Sequence, residues 1–271
     1  NLTIKECNNY FFQNYPKEKG ITSSTMYSYK YALRDFESCF THIKRFRELK
    51  GLHFPTLVDF LRGKYSETTV NIRLRGIRTF LNYLVEKEFI KSLPFRVKEI
   101  KVDKPPPKYF TPEEIEKIYN SVKNPLLLST YKAIEVTGMR GGELRNSFRD
   151  GLFVKIFKCK SRSERVVPIP VDYVADYDSA KDANYSDSWI THSFTRYVKK
   201  CNIDGHKTLH SLRHTYGYRK LLELNNIQLV RDLLGHSSVS VTEKYTRIRT
   251  DYLKQVFTER LNNQSNQYAY G

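Results

Sequence analysis

The chain of 271 residues has no apolar run near the length that spans a bilayer. Its first residues, Asn1-Leu2-Thr3-Ile4-Lys5, lack the basic-then-apolar order of a secretory signal. There is no initiating Met, so a trimmed chain is expected. These absences predict a soluble, cytoplasmic protein with no membrane partner. Cysteine is scarce. Cys7, Cys39, Cys159 and Cys201 are the four, and none stands in a Cys-x-x-Cys spacing. Reduced thiols in a cytosolic protein are the reading. No internal repeat is present. No acidic cluster suited to Mg²⁺ occurs, so any chemistry here is expected to run without a metal and without a cofactor.

Negative charge is what the chain most lacks. Lys and Arg number 46 against 29 Asp and Glu, a net of +17. Residues 1–104 hold 20 basic and 11 acidic side chains; the remainder hold 26 and 18. The excess is spread evenly, not gathered in a tail. Two basic halves suit a protein that grips a polyanion from two sides.

One linker divides the chain. Pro105-Pro106-Pro107 cannot continue a helix and favours extended geometry. Thr111-Pro112-Glu113-Glu114 then reads as a helix start, with Thr as cap, Pro first and Glu third. The predicted domains are 1–104 and 105–271. In the first, Ser24 or Thr25 caps a helix with Met26, Tyr29, Leu33, Phe36 and Phe40 on one face. Tyr27, Lys30, Tyr31 and Arg34 lie on another face of it. A later helix sets Val70, Leu74, Ile77, Leu81 and Leu84 on a stripe. Arg75 and Arg78 fall on a different side, with Arg73 near the edge. Three arginines in six residues with no acid among them predict a DNA-facing surface.

In the second domain, residues 111–148 read as helical, broken at Asn124-Pro125 and Thr137-Gly138. Two β-rich runs follow, Leu152 to Phe157 and Arg165 to Pro170. The basic turn Lys158 to Glu164 joins them into a hairpin. Helical patterning returns from about residue 189, and residues 262–271 read as a frayed polar end. The predicted class is mainly α: a helical first domain, then a mostly helical second domain with a small antiparallel sheet.

Four stretches of the second domain carry the chemistry. They are Glu135 to Leu144, the hairpin, Leu209 to Thr215, and Leu233 to Ser238 running on to Tyr245. Breaking a phosphodiester by attack needs a nucleophile, donors for the pentavalent transition state and an acid for the leaving oxygen. Arginines clamp non-bridging oxygens in fork geometry, and histidines donate and shuttle protons near neutral pH. A lysine on the hairpin can protonate a departing oxygen. A tyrosine nucleophile would keep the bond energy as a phosphotyrosine, so rejoining needs no ATP.

These stretches resemble the signature boxes of the tyrosine recombinase, or phage integrase, family. The box Thr-Gly-x-Arg-x-x-Glu-Leu matches at Thr137, Gly138, Arg140, Glu143 and Leu144. His-x-x-Arg-His-Thr matches at His210, Arg213, His214 and Thr215. Leu-Gly-His-Ser-Ser matches from Leu234 to Ser238, and the family tyrosine, nine positions after the histidine, falls at Tyr245. Aligning Glu164-Arg165-Val166-Val167-Pro168 with the family hairpin puts its lysine at Lys160, with Lys158 in reserve. Any one of the 20 tyrosines is by default a packing residue. Order and spacing kept across about a hundred residues set this pattern apart from a short motif.

The resemblance implies a catalytic set of Arg140, Glu143, Lys160, His210, Arg213, His236 and Tyr245, and no metal. Arg140 and Arg213 would clamp the phosphate, His210 and His236 would donate to it, and Lys160 would serve the 5′ leaving group. Glu143 would orient its neighbours, and Tyr245 would attack. The implied DNA contacts of the first domain are Lys30, Arg34, Arg73, Arg75 and Arg78. The implied partner is a double-stranded recombination site with inverted repeats. It would be held by a homotetramer on two sites that exchanges strands through a Holliday junction; the free protein would be a monomer or dimer, nucleoid-associated. The design would be Xer-like or that of a minimal integrase, without a further arm-binding domain. Tyr252, Leu253, Val256, Phe257 and Leu261 form a stripe that docks on a neighbour or on its own domain. The family's Leu-x-Trp-x-Asp stretch is replaced by Arg145 to Asp150, which predicts a shortened or missing first strand. The competing readings are a type IB topoisomerase and a non-catalytic DNA-binding regulator on the same fold.

Overall fold

The structure is a computed structural model that describes residues 3–103, 107–157 and 164–236. The chain divides into two units, Asn1–Lys104 and Pro105–Gly271.

The described residues of the first unit form four α-helices, α1 (Ile4–Lys19), α2 (Ser23–Cys39), α3 (His53–Arg62) and α4 (Glu67–Glu86), with a 3₁₀ turn, Phe46–Glu48, between α2 and α3. A Thr3/Glu6 capping box starts α1. Thr22 caps α2 by accepting the Thr25 amide, so the cap lies upstream of Ser24 and Thr25, which sit inside the helix. The apolar faces of α2 and α4 meet. Leu33, Phe36, Leu74, Ile77 and Leu81 are buried, with Leu57 and Leu61 from α3. Phe11 of α1 closes the core edge-on against Phe80 and Tyr83. The chain leaving this unit is pinned where buried Asn71 exchanges two hydrogen bonds with the backbone of Ile100.

The second unit opens with α5 (Pro112–Ser121), started by the Thr111/Glu114 capping box, and α6 (Pro125–Thr137), capped by Asn124. A 3₁₀ turn, Gly141–Asn146, follows. Three strands come next: β1 (Ser147–Asp150), β2 (Phe153–Ile156) and β3 (Arg165–Pro168). They pair antiparallel in the order β1-β2-β3, with Ser147 opposite Ile156 and Ile156 opposite Arg165. The helical reading of residues 111–148, broken at Thr137-Gly138, continues as the 3₁₀ turn to Asn146 and gives way to strand at Ser147. The first strand is also present, with four residues. It holds without the expected tryptophan because buried Ser147 hydrogen-bonds the Tyr177 hydroxyl and Arg149 pairs with Asp178.

Then come α7 (Val174–Ala183), α8 (Asp187–Lys200), α9 (Leu209–Leu224) and α10 (Ile227–Leu234). Helical structure thus resumes before residue 189. Of α7 only Tyr177 and Ala180 are buried, one turn apart, so its sequence carries little apolar periodicity. Tyr131 of α6 lies in the middle of this core, donating to Ser193 of α8 with its ring edge-on to Phe194. No helix among the described residues is long and apolar enough to cross a membrane.

Candidate functional site

In the second unit three arginines converge on Glu143. This residue lies in the 3₁₀ turn just after the left-handed Gly138, which ends α6 at φ 61°. A Cβ on Gly138 would stand 2.3 Å from the Tyr216 ring, so both the backbone conformation and the close approach require glycine. The turn that follows brings the Glu143 side chain, 10% exposed, beneath Arg140.

Glu143 Oε1 accepts Arg140 Nη1 at 2.7 Å and Arg165 Nη1 at 3.2 Å. Oε2 accepts the Arg140 backbone amide at 2.9 Å and Arg165 Nη2 at 2.6 Å. Arg213 Nη1 lies 3.8 Å from Oε2. Three guanidiniums thus share one carboxylate. Burial pushes the Glu143 carboxyl up, but the Arg165 fork, the Arg140 amide and the Arg213 charge outweigh it and hold the group at about 2.

Arg213, on α9, is 1% exposed. Its Nη1 donates to the carbonyl of Gly138 at 2.7 Å, and its Nη2 donates to the carbonyl of Leu234. One side chain therefore ties the end of α6 to the end of α10. It joins three of the four sequence stretches singled out above. Arg140 differs: its side chain is 44% exposed.

The histidines sit on neighbouring elements. His210 is exposed in the first turn of α9, with the half-buried His214 one turn on; their rings meet edge-on at 4.6 Å. His236 is half-buried just past α10, its amide bonded to the carbonyl of Arg231. It lines a cleft of about 680 Å³ between β3 and α10, together with Glu164, Arg165, Arg231 and Gly235. Lys160, Lys158, Tyr245 and the stripe from Tyr252 to Leu261 lie outside the described residues.

In the first unit the five basic candidates separate into different environments. Lys30 and Arg34 are exposed on α2, and Arg34 covers the Tyr31 ring at 4.8 Å. Arg73 is 13% exposed; its Nε donates at 2.9 Å to buried Asp35, which also accepts the Tyr65 hydroxyl. Arg75 and Arg78 each reach Glu99 at 3.2 Å.

Sequence reasoning did not single out Arg165. The signal lay in the strand alternation: Arg165 shares the inward face of β3 with Val167, and an arginine pointing inward needs a buried acid.

The fold is that of the integrases. It superposes on a lambda integrase tetramer bound to a Holliday junction with a TM-score of 0.76 and 13% identity, covering 92% of this chain and 80% of that one. The XerH site-specific recombinase bound to its palindromic difH substrate gives 0.69 and 16%, covering 85% and 78%. Among sequence relatives, the tyrosine recombinase XerC of Thermodesulfovibrio yellowstonii is 25% identical over 91% of this chain and 93% of its own. XerC of Myxococcus xanthus is 28% identical over 89% and 92%. The model of the phage integrase family matches residues 172–251, and that of the phage integrase N-terminal SAM-like domain matches residues 9–88. The chain belongs to the phage integrase family of tyrosine recombinases, whose members are site-specific DNA recombinases.

Proposed function

We propose that this recombinase cuts DNA by attack of Tyr245 on the scissile phosphate. The attack leaves a 3′-phosphotyrosyl link and a free 5′ hydroxyl. Reversal of the same step by a 5′ hydroxyl from the partner duplex rejoins the strands. Four protomers on two sites with inverted repeats exchange strands in pairs through a Holliday junction.

The placement of Arg213 carries the reading. It bonds the Gly138 and Leu234 carbonyls and lies beside Glu143, so one buried cation holds together the stretches bearing Arg140, His210 and His236. Arg140 and Arg213 stabilise the phosphate as its charge grows, Arg140 from the open side and Arg213 from the buried side. His210 and His236 donate further hydrogen bonds and move protons. Lys160 protonates the 5′ leaving oxygen, with Lys158 as the alternative. Glu143 orients the arginines. The chemistry uses neither metal nor ATP.

Lys30, Arg34, Arg75 and Arg78 supply DNA contacts from the first unit. Arg73 is committed to Asp35 and braces that face.

The test is a duplex recombination site carrying a nick that traps the cut strand. The unmodified protein accumulates a covalent protein–DNA adduct, and Tyr245→Phe accumulates none. An adduct formed by Tyr245→Phe sinks the assignment of the nucleophile.

A further inference from the structure

We infer that Arg165 is a positioning residue for strand cleavage. It fills Glu143, so that Arg140 commits only one guanidinium N–H to that carboxylate and keeps the rest of its fork for the DNA phosphate. The inference rests on the reading of Arg140 as a phosphate ligand.

Arg165 opens β3, opposite Ile156, on the inward face it shares with Val167. At 6% exposure, its charge is costly unless paired. Glu143 provides the pair. A carboxylate has about four acceptor positions. Here Arg140 Nη1 and Arg165 Nη1 share one oxygen, and the Arg140 amide and Arg165 Nη2 share the other. All four are in use. Arg140 therefore cannot close on Glu143 as a two-pronged fork.

Removing the Arg165 fork opens two of those positions. Arg140 stands three residues from Glu143 on a long, half-open side chain and already touches Oε1. It would then fold down onto the carboxylate with both prongs, in the strong geometry that arginine and carboxylate share. Its charge would be cancelled where the phosphate needs it. Lysine at position 165 would keep the charge but lose the fork, because an ammonium is a point donor.

The experiment compares Arg165→Lys, Arg165→Gln and Arg140→Ala in single-turnover cleavage of the nicked site. The scissile phosphate is either natural or an uncharged methylphosphonate. Melting and gel shifts establish that each variant folds and binds DNA. Both Arg165 variants are expected to cleave the natural site roughly a hundredfold more slowly, the scale of a misplaced catalytic group. A merely structural role would slow both substrates alike. In the inferred role Arg140 is already withdrawn, so the methylphosphonate penalty shrinks about tenfold relative to the unmodified protein, a coupled effect. Should Arg165→Gln fail to fold, Arg165→Lys decides. If Arg140→Ala cleaves and discriminates like the unmodified protein, the reading of Arg140 falls and this inference with it. If Arg140→Ala loses both while the Arg165 variants keep the rate or the full penalty, only the inference on Arg165 is overturned.

Discussion

Among the described residues, two carboxylates each receive more than one arginine, one in each unit. Glu99, in the first, lies at the surface and takes Arg75 and Arg78, all three side chains more than a third exposed. Glu143, in the second, is buried, takes Arg140 and the fork of Arg165, and has Arg213 nearby. The chemical pair is the same, but the surroundings differ. Water screens the charges at Glu99, so each contact there is weak and easily exchanged for a phosphate. Glu143, Arg165 and Arg213 are shielded from water, so removing the carboxylate leaves the charge of the two buried arginines poorly compensated. A shared surface carboxylate leaves its arginines available to a passing anion. A shared buried one fixes where its arginines stand.

Breaking each carboxylate is the strongest test of this contrast. Glu143→Ala strands Arg165 and Arg213 and should destabilise the second unit by about 3–5 kcal/mol. Glu99→Ala should lower the stability of the first unit by no more than about 1 kcal/mol. Trp189 is the only tryptophan and lies in α8, so its fluorescence in urea reports the second unit alone. Far-ultraviolet dichroism follows the remainder. Similar losses from the two substitutions would erase the distinction drawn between buried and exposed sharing.

Acid sharpens the same comparison. The Glu143 carboxyl, held at about 2, is depressed by the folded state. Its stabilisation is therefore complete above the ordinary value of 4.5 and is lost as pH falls from there towards 2. The loss should be on the order of 3 kcal/mol, read as a falling urea midpoint of the Trp189 transition. Glu143→Gln should flatten that part of the curve, whereas Glu99→Gln should leave it unchanged.

Two glycines extend the contrast from charge to packing. Gly20 in the first unit and Gly138 in the second both end helices at a φ near 60°. Nothing lies within 4 Å of a Cβ placed on Gly20, whereas on Gly138 it would strike Tyr216. Gly20→Ala should cost about 1 kcal/mol, the left-handed strain alone. Gly138→Ala should cost about 2–3 kcal/mol, because overpacking adds to the strain. It should also slow cleavage, since the Gly138 carbonyl holds Arg213.

What could be read in the sequence divides along the line between local and distant causes. The Thr111/Glu114 capping box is legible because the cap and its partner are three residues apart. The faces of α2 and α4 are legible because their apolar spacing matches the helical turn. The first strand is not, since what steadies Ser147 and Arg149 arrives from Tyr177 and Asp178, some thirty residues on. At the site, Arg140, Glu143 and Arg213 stand out because their stretches resemble the family's signature boxes, and the structure draws them together. Arg165 does not stand out, because its meaning depends on which face of β3 turns inward. The sequence sets Arg73 of α4 only slightly apart, near the edge of the face that bears Arg75 and Arg78. The structure gives Arg73 to buried Asp35 and leaves Arg75 and Arg78 on exposed Glu99, a residue thirteen positions past the end of the helix.

That last division supports the smallest effect to be expected. If Arg75 and Arg78 meet DNA, Glu99 competes with phosphate for both, and Glu99→Gln releases them. The weak, screened pairing implies a gain of only about two- to fivefold in affinity for site DNA at low salt. The gain should fade as salt rises, because the competition is between exposed charges. Arg73 offers the counter-test. Its guanidinium is tied to Asp35 and covers the rings of Tyr31 and Tyr65, so Arg73→Gln should lower the stability of the first unit. Because a buried ion pair is not a phosphate contact, it should leave the salt dependence of DNA binding nearly unchanged. A steeper loss of salt dependence for Arg73→Gln than for Arg75→Gln would reverse the order of the two, placing the DNA contact on Arg73.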